Sequence, residues 1–196
     1  MTVIAGLVHE DRVLLGGDTA PASALEELRH LAQPKVFGLG PYVLGFTGAY
    51  RPETILKYML KERERRYLLA APPEGSAEDV HHFVITKLVP VLRKCLSGAR
   101  DANKEERKSR TEGTFLLGVR GQLFTIEARH DAEYEVEECT EEFTALGAGA
   151  PAALAALHAT AGLGLGPTDR LSRALSAANR FADEVQGPFY VAIEAR

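Results

Sequence analysis

Residues Val3 to Val8 are apolar without a break (Val-Ile-Ala-Gly-Leu-Val), and Val13 to Gly17 continue in the same way as Val-Leu-Leu-Gly-Gly. Runs of this length with no polar alternation predict strands covered on both faces. His9-Glu10-Asp11-Arg12 forms the polar turn between them. A second hairpin is predicted over Lys35 to Leu39 and Tyr42 to Gly48, turning at Gly40-Pro41. The period then changes. Ile55, Leu56, Met59 and Leu60 recur at helical spacing between about Pro52 and Leu69, and Val80, Phe83, Val84, Leu88 and Leu92 do so between about Ala77 and Leu96. Ala71-Pro72-Pro73-Glu74-Gly75 separates these two helices. Strands return at Thr114 to Val119, at Gln122 to Ala128, near Tyr134 to Cys139 and at Phe143 to Leu146. Pro151 to Thr160 reads as an alanine-rich helix with proline in its first turn. Thr168 is placed to cap a last helix reaching about Val185, with Leu171, Leu175, Ala178 and Ala182 on one stripe, and Phe189 to Ile193 closes the pattern as a strand.

Two helices in the middle and two near the end, set between groups of strands buried on both faces, predict a pair of sheets with helices on both outer faces. This is an α+β, αββα sandwich. At 196 residues the chain holds one substantial core, so a single domain spanning 1–196 is expected. The stretch from Gly98 to Gly113 is dense in mixed charge (Arg100, Asp101, Lys104, Glu105, Glu106, Arg107, Lys108, Arg110, Glu112) and reads as a surface loop.

Composition narrows the function. A net charge of −4 argues against a nucleic-acid binder, which would carry a basic face. Cys95 and Cys139 have neither metal spacing nor a disulfide framework, as expected in a reducing cytoplasm. The six histidines form no His-Glu-x-x-His or Cys/His cluster, so no metal or cofactor is expected. No apolar stretch approaches membrane-spanning length and no signal-peptide pattern opens the chain, so the expected location is cytoplasmic, away from membranes. Gly162-Leu163-Gly164-Leu165-Gly166 has no strand leading into it and no following lysine, and reads as a linker between helices rather than a phosphate loop. The run Lys61 to Arg66 interleaves glutamates at helical spacing, the pattern of a solvated face or subunit contact.

The candidate chemistry lies at the start of the chain. Thr2 follows Met1, Asp18 stands sixteen residues further on and Lys35 opens the second hairpin. Loss of Met1 would leave a threonine whose own α-amine, titrating near neutral pH, can take the proton of its hydroxyl. A nearby cation lowers the pKa of both groups, and a carboxylate holds that cation in place. Taken singly, the three residues also fit a common N-terminal threonine, a turn aspartate and a surface lysine.

Six motifs set these residues in a wider pattern: Thr2-Val3-Ile4-Ala5-Gly6, Gly16-Gly17-Asp18-Thr19, Lys35-Val36, Gly45-Phe46-Thr47-Gly48, Leu146-Gly147-Ala148-Gly149 and Asp183-Glu184-Val185-Gln186-Gly187. In order and spacing the chain resembles, nearly end to end, the proteasome β-subunit and HslV peptidase family of N-terminal nucleophile (Ntn) hydrolases, and in particular its proteasome-like bacterial members. The resemblance implies a four-layer αββα Ntn-hydrolase fold of two mainly antiparallel sheets. It implies Thr2 as nucleophile, Asp18 and Lys35 as the groups that tune it, the Gly48 N–H as oxyanion donor and Asp183 as the acidic residue supporting the threonine amine. Phe37, Phe46 and Tyr50 fall where the family lines its primary substrate pocket, although their strand setting equally suits core aromatics. The implied partners are further copies of the chain, in stacked hexameric or heptameric rings, an ATP-dependent unfoldase and polypeptide substrates. The chain departs from the family pattern in having Ala148 where a serine is usual, Gln186 in place of a second serine, and one extra residue between Asp18 and Lys35, with Pro34 before the lysine. A chain retaining Met1 would lack the free amine. A catalytically silent ring protein and an Ntn amidase acting on a small-molecule amide are the alternative readings.

Overall fold

The computed structural model describes residues 2–19, 34–48, 52, 55–59, 62–97, 113–129 and 133–195. Met1, Tyr50 and the charged stretch 98–112 lie outside the described residues. Among the described residues nine strands form two sheets: β1 (Val3–His9), β2 (Arg12–Asp18), β3 (Val36–Leu39), β4 (Tyr42–Gly48), β5 (Gly113–Val119), β6 (Gln122–Ala128), β7 (Tyr134–Glu138), β8 (Phe143–Gly147) and β9 (Phe189–Ile193). One sheet runs β8-β1-β2-β9 and the other β3-β4-β5-β6-β7, with antiparallel neighbours throughout.

Both faces of β1, β2, β4 and β5 are covered, which explains their unbroken apolar runs. Val3, Ala5 and Leu7 point to the helices α4 (Ala150–Ala159) and α5 (Pro167–Phe181), where Ala153, Leu157, Leu171 and Leu175 meet them. Ile4, Val13 and Leu15 face the second sheet and pack on Val36, Val43, Leu116 and Leu123. The outer face of that sheet, with Phe37, Leu44, Phe46, Phe115 and Phe124, is covered by helical residues including Leu56, Leu68, Val84 and Leu92. The order of layers is therefore helix, sheet, sheet, helix, as expected from the sequence. Close approach of the sheets depends on Gly45, where a Cβ would come within 2.7 Å of Ile4 Cγ2.

The helices differ from expectation in their details. The described part of the first middle helix is a π-helical turn (Ile55–Met59) followed by α1 (Glu62–Leu68). The second is α2 (Ala77–Phe83), a π-helical turn (Val84–Leu88) and α3 (Val89–Ser97). Pro90 accounts for the widened turn: it has no N–H to give the Thr86 carbonyl and its ring crowds that oxygen, while the Val89 N–H reaches back to Val84 O. Ser76 caps α2 in a reciprocal box with Asp79. These bonds from Ser76 hold the Asp79 carboxyl below its ordinary pKa. Below that range the carboxylate is protonated and the box weakens, so α2 fraying should increase as pH falls through the acid region, as read by amide exchange at Ser76 and Asp79. The last helix starts at Pro167 with Gly166 as its cap, so Thr168 lies inside the first turn. It ends at Phe181 rather than near Val185, because Ala182 is extended (φ −130°, ψ 110°) and a tight turn follows.

At the end of the sandwich away from Asp18, Glu194 is 5% exposed and bridges both sheets. Its carboxylate accepts the Val13 N–H (3.0 Å), the Gly121 N–H (3.2 Å) and the Arg120 N–H, and so joins the β1–β2 hairpin to the β5–β6 turn. Replacement by alanine would leave three backbone donors without this acceptor. Glu194→Ala should therefore cost about 3 kcal/mol, near 10 °C in Tm by calorimetry, with Glu194→Gln intermediate.

Candidate active site

Thr2 stands one residue before β1, and Asp18 is the last residue of β2. Hairpin register places them together: Ile4 pairs with Gly17, so the next rung sets Val3 beside Asp18. Asp18 is fully buried and Thr2 is 6% exposed. The Thr2 hydroxyl donates to Asp18 Oδ1, and the Val3 N–H donates to the same oxygen at 3.1 Å. Lys35, on the approach to β3, crosses between the sheets and places Nζ 2.9 Å from Asp18 Oδ2, with its side chain 8% exposed. A buried carboxylate is tolerated only when paired and hydrogen-bonded. Asp18 meets that condition with a hydroxyl, a main-chain N–H and an ammonium. The predicted trio is therefore brought together across two sheets.

The remaining predicted residues are placed less tightly. The Lys35 carbonyl accepts the Phe46 N–H at 3.2 Å, which ties β4 to the lysine, and Gly48 lies two residues further along β4, exposed and opposite Gly113. Asp183 is exposed on the turn after α5 and bonds neither Thr2 nor Asp18 among the described residues. Val185 from the same turn packs where a side chain on Gly149 would go, so the Asp183 segment does adjoin the β8–α4 turn beside Thr2. Phe37 and Phe46 are 4% and 7% exposed in the core between the second sheet and the helices, and Phe46 is tilted against Phe115 at 4.6 Å. Ala148 is exposed on the β8–α4 turn.

Three main-chain and side-chain contacts at the site were not legible in the sequence. They are the Val3 N–H on Asp18, the Gly149 N–H directed at the Thr2 carbonyl (3.5 Å), and the Thr19 hydroxyl on Pro188 O (2.9 Å). Thr19 and Gly149 were visible within motifs, but their partners come from distant parts of the chain. Elsewhere, burial pushes the Cys139 thiol above its ordinary pKa, so it is a protonated packing residue at neutral pH. Among the described residues no cluster of His, Cys, Asp and Glu is arranged to hold a metal, and no helix is long and apolar enough to cross a membrane.

No protein-family model and no curated protein matches the chain. Solved structures do. Thiobacillus denitrificans BPH, a bacterial proteasome homologue, superposes with a TM-score of 0.64 at 20% identity, covering 98% of this chain and 97% of that one. The same protein in complex with epoxomicin gives 0.65 at 18% identity with the same coverage. HslV from Trypanosoma brucei gives 0.57 at 18% identity, covering 98% of each chain. The chain has the αββα Ntn-hydrolase fold of these proteasome-like proteins.

Proposed function

We propose that this chain is an N-terminal threonine peptidase of the proteasome type, activated by removal of Met1. The observation that carries the reading is the Thr2–Asp18–Lys35 cluster, a hydroxyl and a cation held on one buried carboxylate at the head of the chain. Once Met1 is gone, the α-amine of Thr2 takes the hydroxyl proton as the oxygen attacks a peptide carbonyl. The Gly48 N–H donates to the oxyanion, a contribution on the order of 3 kcal/mol to the transition state. Collapse expels the amine product with the proton, leaving an ester on Thr2 that water hydrolyses. Lys35 keeps the electrostatic potential at the hydroxyl positive, and Asp18 holds Lys35. Asp183 supports the amine, following the family resemblance.

By the same resemblance, the peptidase works inside stacked hexameric or heptameric rings in the cytoplasm, fed by an ATP-dependent unfoldase. Confinement protects folded proteins from a peptidase of broad specificity. Light scattering at micromolar concentration is expected to report twelve or more subunits; a monomer would contradict this.

A catalytically silent ring protein is the second reading, favoured by Ala148, which offers no hydroxyl beside the nucleophile. The peptidase reading expects weak but measurable turnover of fluorogenic peptides. It also expects Ala148→Ser to raise the rate about fivefold, the equivalent of one hydrogen bond near 1 kcal/mol, with no change in assembly. If Phe37, Phe46 and Tyr50 line the primary pocket, peptides with a large apolar residue before the cut bond should be cleaved fastest. No turnover by either the wild type or Ala148→Ser, once Met1 is removed, would favour the silent protein.

A further inference from the structure

We propose that Gly147 is a positioning residue for the nucleophile: the absence of a side chain at 147 is what allows Thr2 to reach Asp18. The catalytic consequence rests on the threonine-peptidase reading, whereas the structural one rests on geometry alone. Gly147 ends β8 opposite Val3, at φ +92°, a conformation that suits glycine. A Cβ added there would lie 2.2 Å from the Thr2 carbonyl oxygen, 2.9 Å from its carbonyl carbon and 3.1 Å from Thr2 Cγ2. Non-bonded heavy atoms rest near 3.5 Å, so the first two contacts are deep overlaps.

The obstructing atoms are main chain, and no rotamer change relieves them. Either the end of β8 or the Thr2 peptide unit must move. The β8–α4 turn is the better anchored of the two, because Gly149 sits so close to Ala178, Val185 and Val3 that a Cβ there would come within 2.8 to 3.0 Å of all three. Thr2 precedes the first rung of its strand. The displacement therefore falls on Thr2 and takes its hydroxyl off Asp18. Ala148, between the two glycines, is exposed, so this positioning is done by main chain and does not need a side chain at 148.

The test compares Gly147→Ala with Gly118→Ala, both free of Met1. Gly118 is a buried comparator whose added Cβ would overlap Val13 Cγ1 at 2.4 Å, five residues along β2 from Asp18, roughly 16 Å by strand rise. A crystal structure of Gly147→Ala should show Thr2 Oγ1 beyond hydrogen-bond distance of Asp18. Labelling by epoxomicin should lose at least about 100-fold in kinact with KI within threefold, the effect expected of a misplaced nucleophile. Gly118→Ala should lose at least as much in Tm yet label at the wild-type rate. A Thr2–Asp18 bond unchanged in Gly147→Ala, or equal loss of labelling in Gly118→Ala, would overturn the proposal. If the wild type is not labelled at all, the peptidase reading fails and the crystallographic distance alone decides this one. Should Gly147→Ala not fold, ligation at Cys139 can install D-alanine at 147, which places Cβ on the other side of the Cα. Folding with Thr2 on Asp18 in that protein supports the proposal, and failure of the D-alanine protein as well overturns it.

Discussion

Thr2→Ala is expected to reduce peptide hydrolysis by at least about 10⁴-fold while the protein still folds and assembles. The magnitude follows from removing a nucleophile outright, since what remains is binding and oxyanion stabilisation without an attacking group. The structural cost should be small. Asp18 keeps the Val3 N–H and the Lys35 ammonium, and loses one donor, worth about 1 kcal/mol. Thr2→Ser provides the control, since it retains the hydroxyl and should retain measurable activity. Steady-state rates on a fluorogenic peptide, read beside the melting temperature, separate loss of chemistry from loss of fold. Near-wild-type turnover in Thr2→Ala would remove the mechanism.

Lys35→Ala should lower the rate by at least about two orders of magnitude and also destabilise the fold by about 3 to 5 kcal/mol. Both effects come from one feature. The ammonium lies 2.9 Å from a carboxylate that is fully buried, so its removal leaves that charge without a counter-ion. The two effects can be parted by a double variant. Asp18→Asn with Lys35→Met removes both charges and keeps the volume, and should recover most of the stability while remaining inactive. Recovery of activity together with stability would mean that Lys35 serves the fold alone.

The trio was legible in the sequence because a tight hairpin fixes distances along the chain. With the β1–β2 turn at Glu10-Asp11, residues 3 and 18 must be neighbours, and Thr2 follows from that register. Lys35 required one more step, the packing of Val36 against the first sheet, which its apolar surroundings in the sequence imply. Gly147 had no such local signal. Its partner precedes a strand separated from it by most of the chain, and no turn or periodicity near residue 147 encodes that contact. The β-strands are legible because each apolar run is bounded by a charged or glycine turn. Helix ends are less legible: Pro167 starts α5 ahead of Thr168, and Pro90 widens the turn behind it. Asp183 shows the same limit. The predicted helix runs to about Val185 and so through Asp183, whereas α5 ends at Phe181, and the direction of an exposed carboxylate depends on contacts that no local pattern encodes.

The proposed nucleophile needs a free threonine amine beside a reactive hydroxyl, and a threonine-directed epoxyketone, which reacts with both groups, tests for them together; epoxomicin is the compound bound to Thiobacillus denitrificans BPH. The decisive measurement is the intact mass of the purified protein before and after incubation with that compound. The expected result is a chain lighter by one methionine that gains the mass of one inhibitor molecule, with the adduct on Thr2 and absent from Thr2→Ala. A processed chain that remains unmodified under conditions that label a known threonine peptidase would exclude Thr2 as an N-terminal nucleophile.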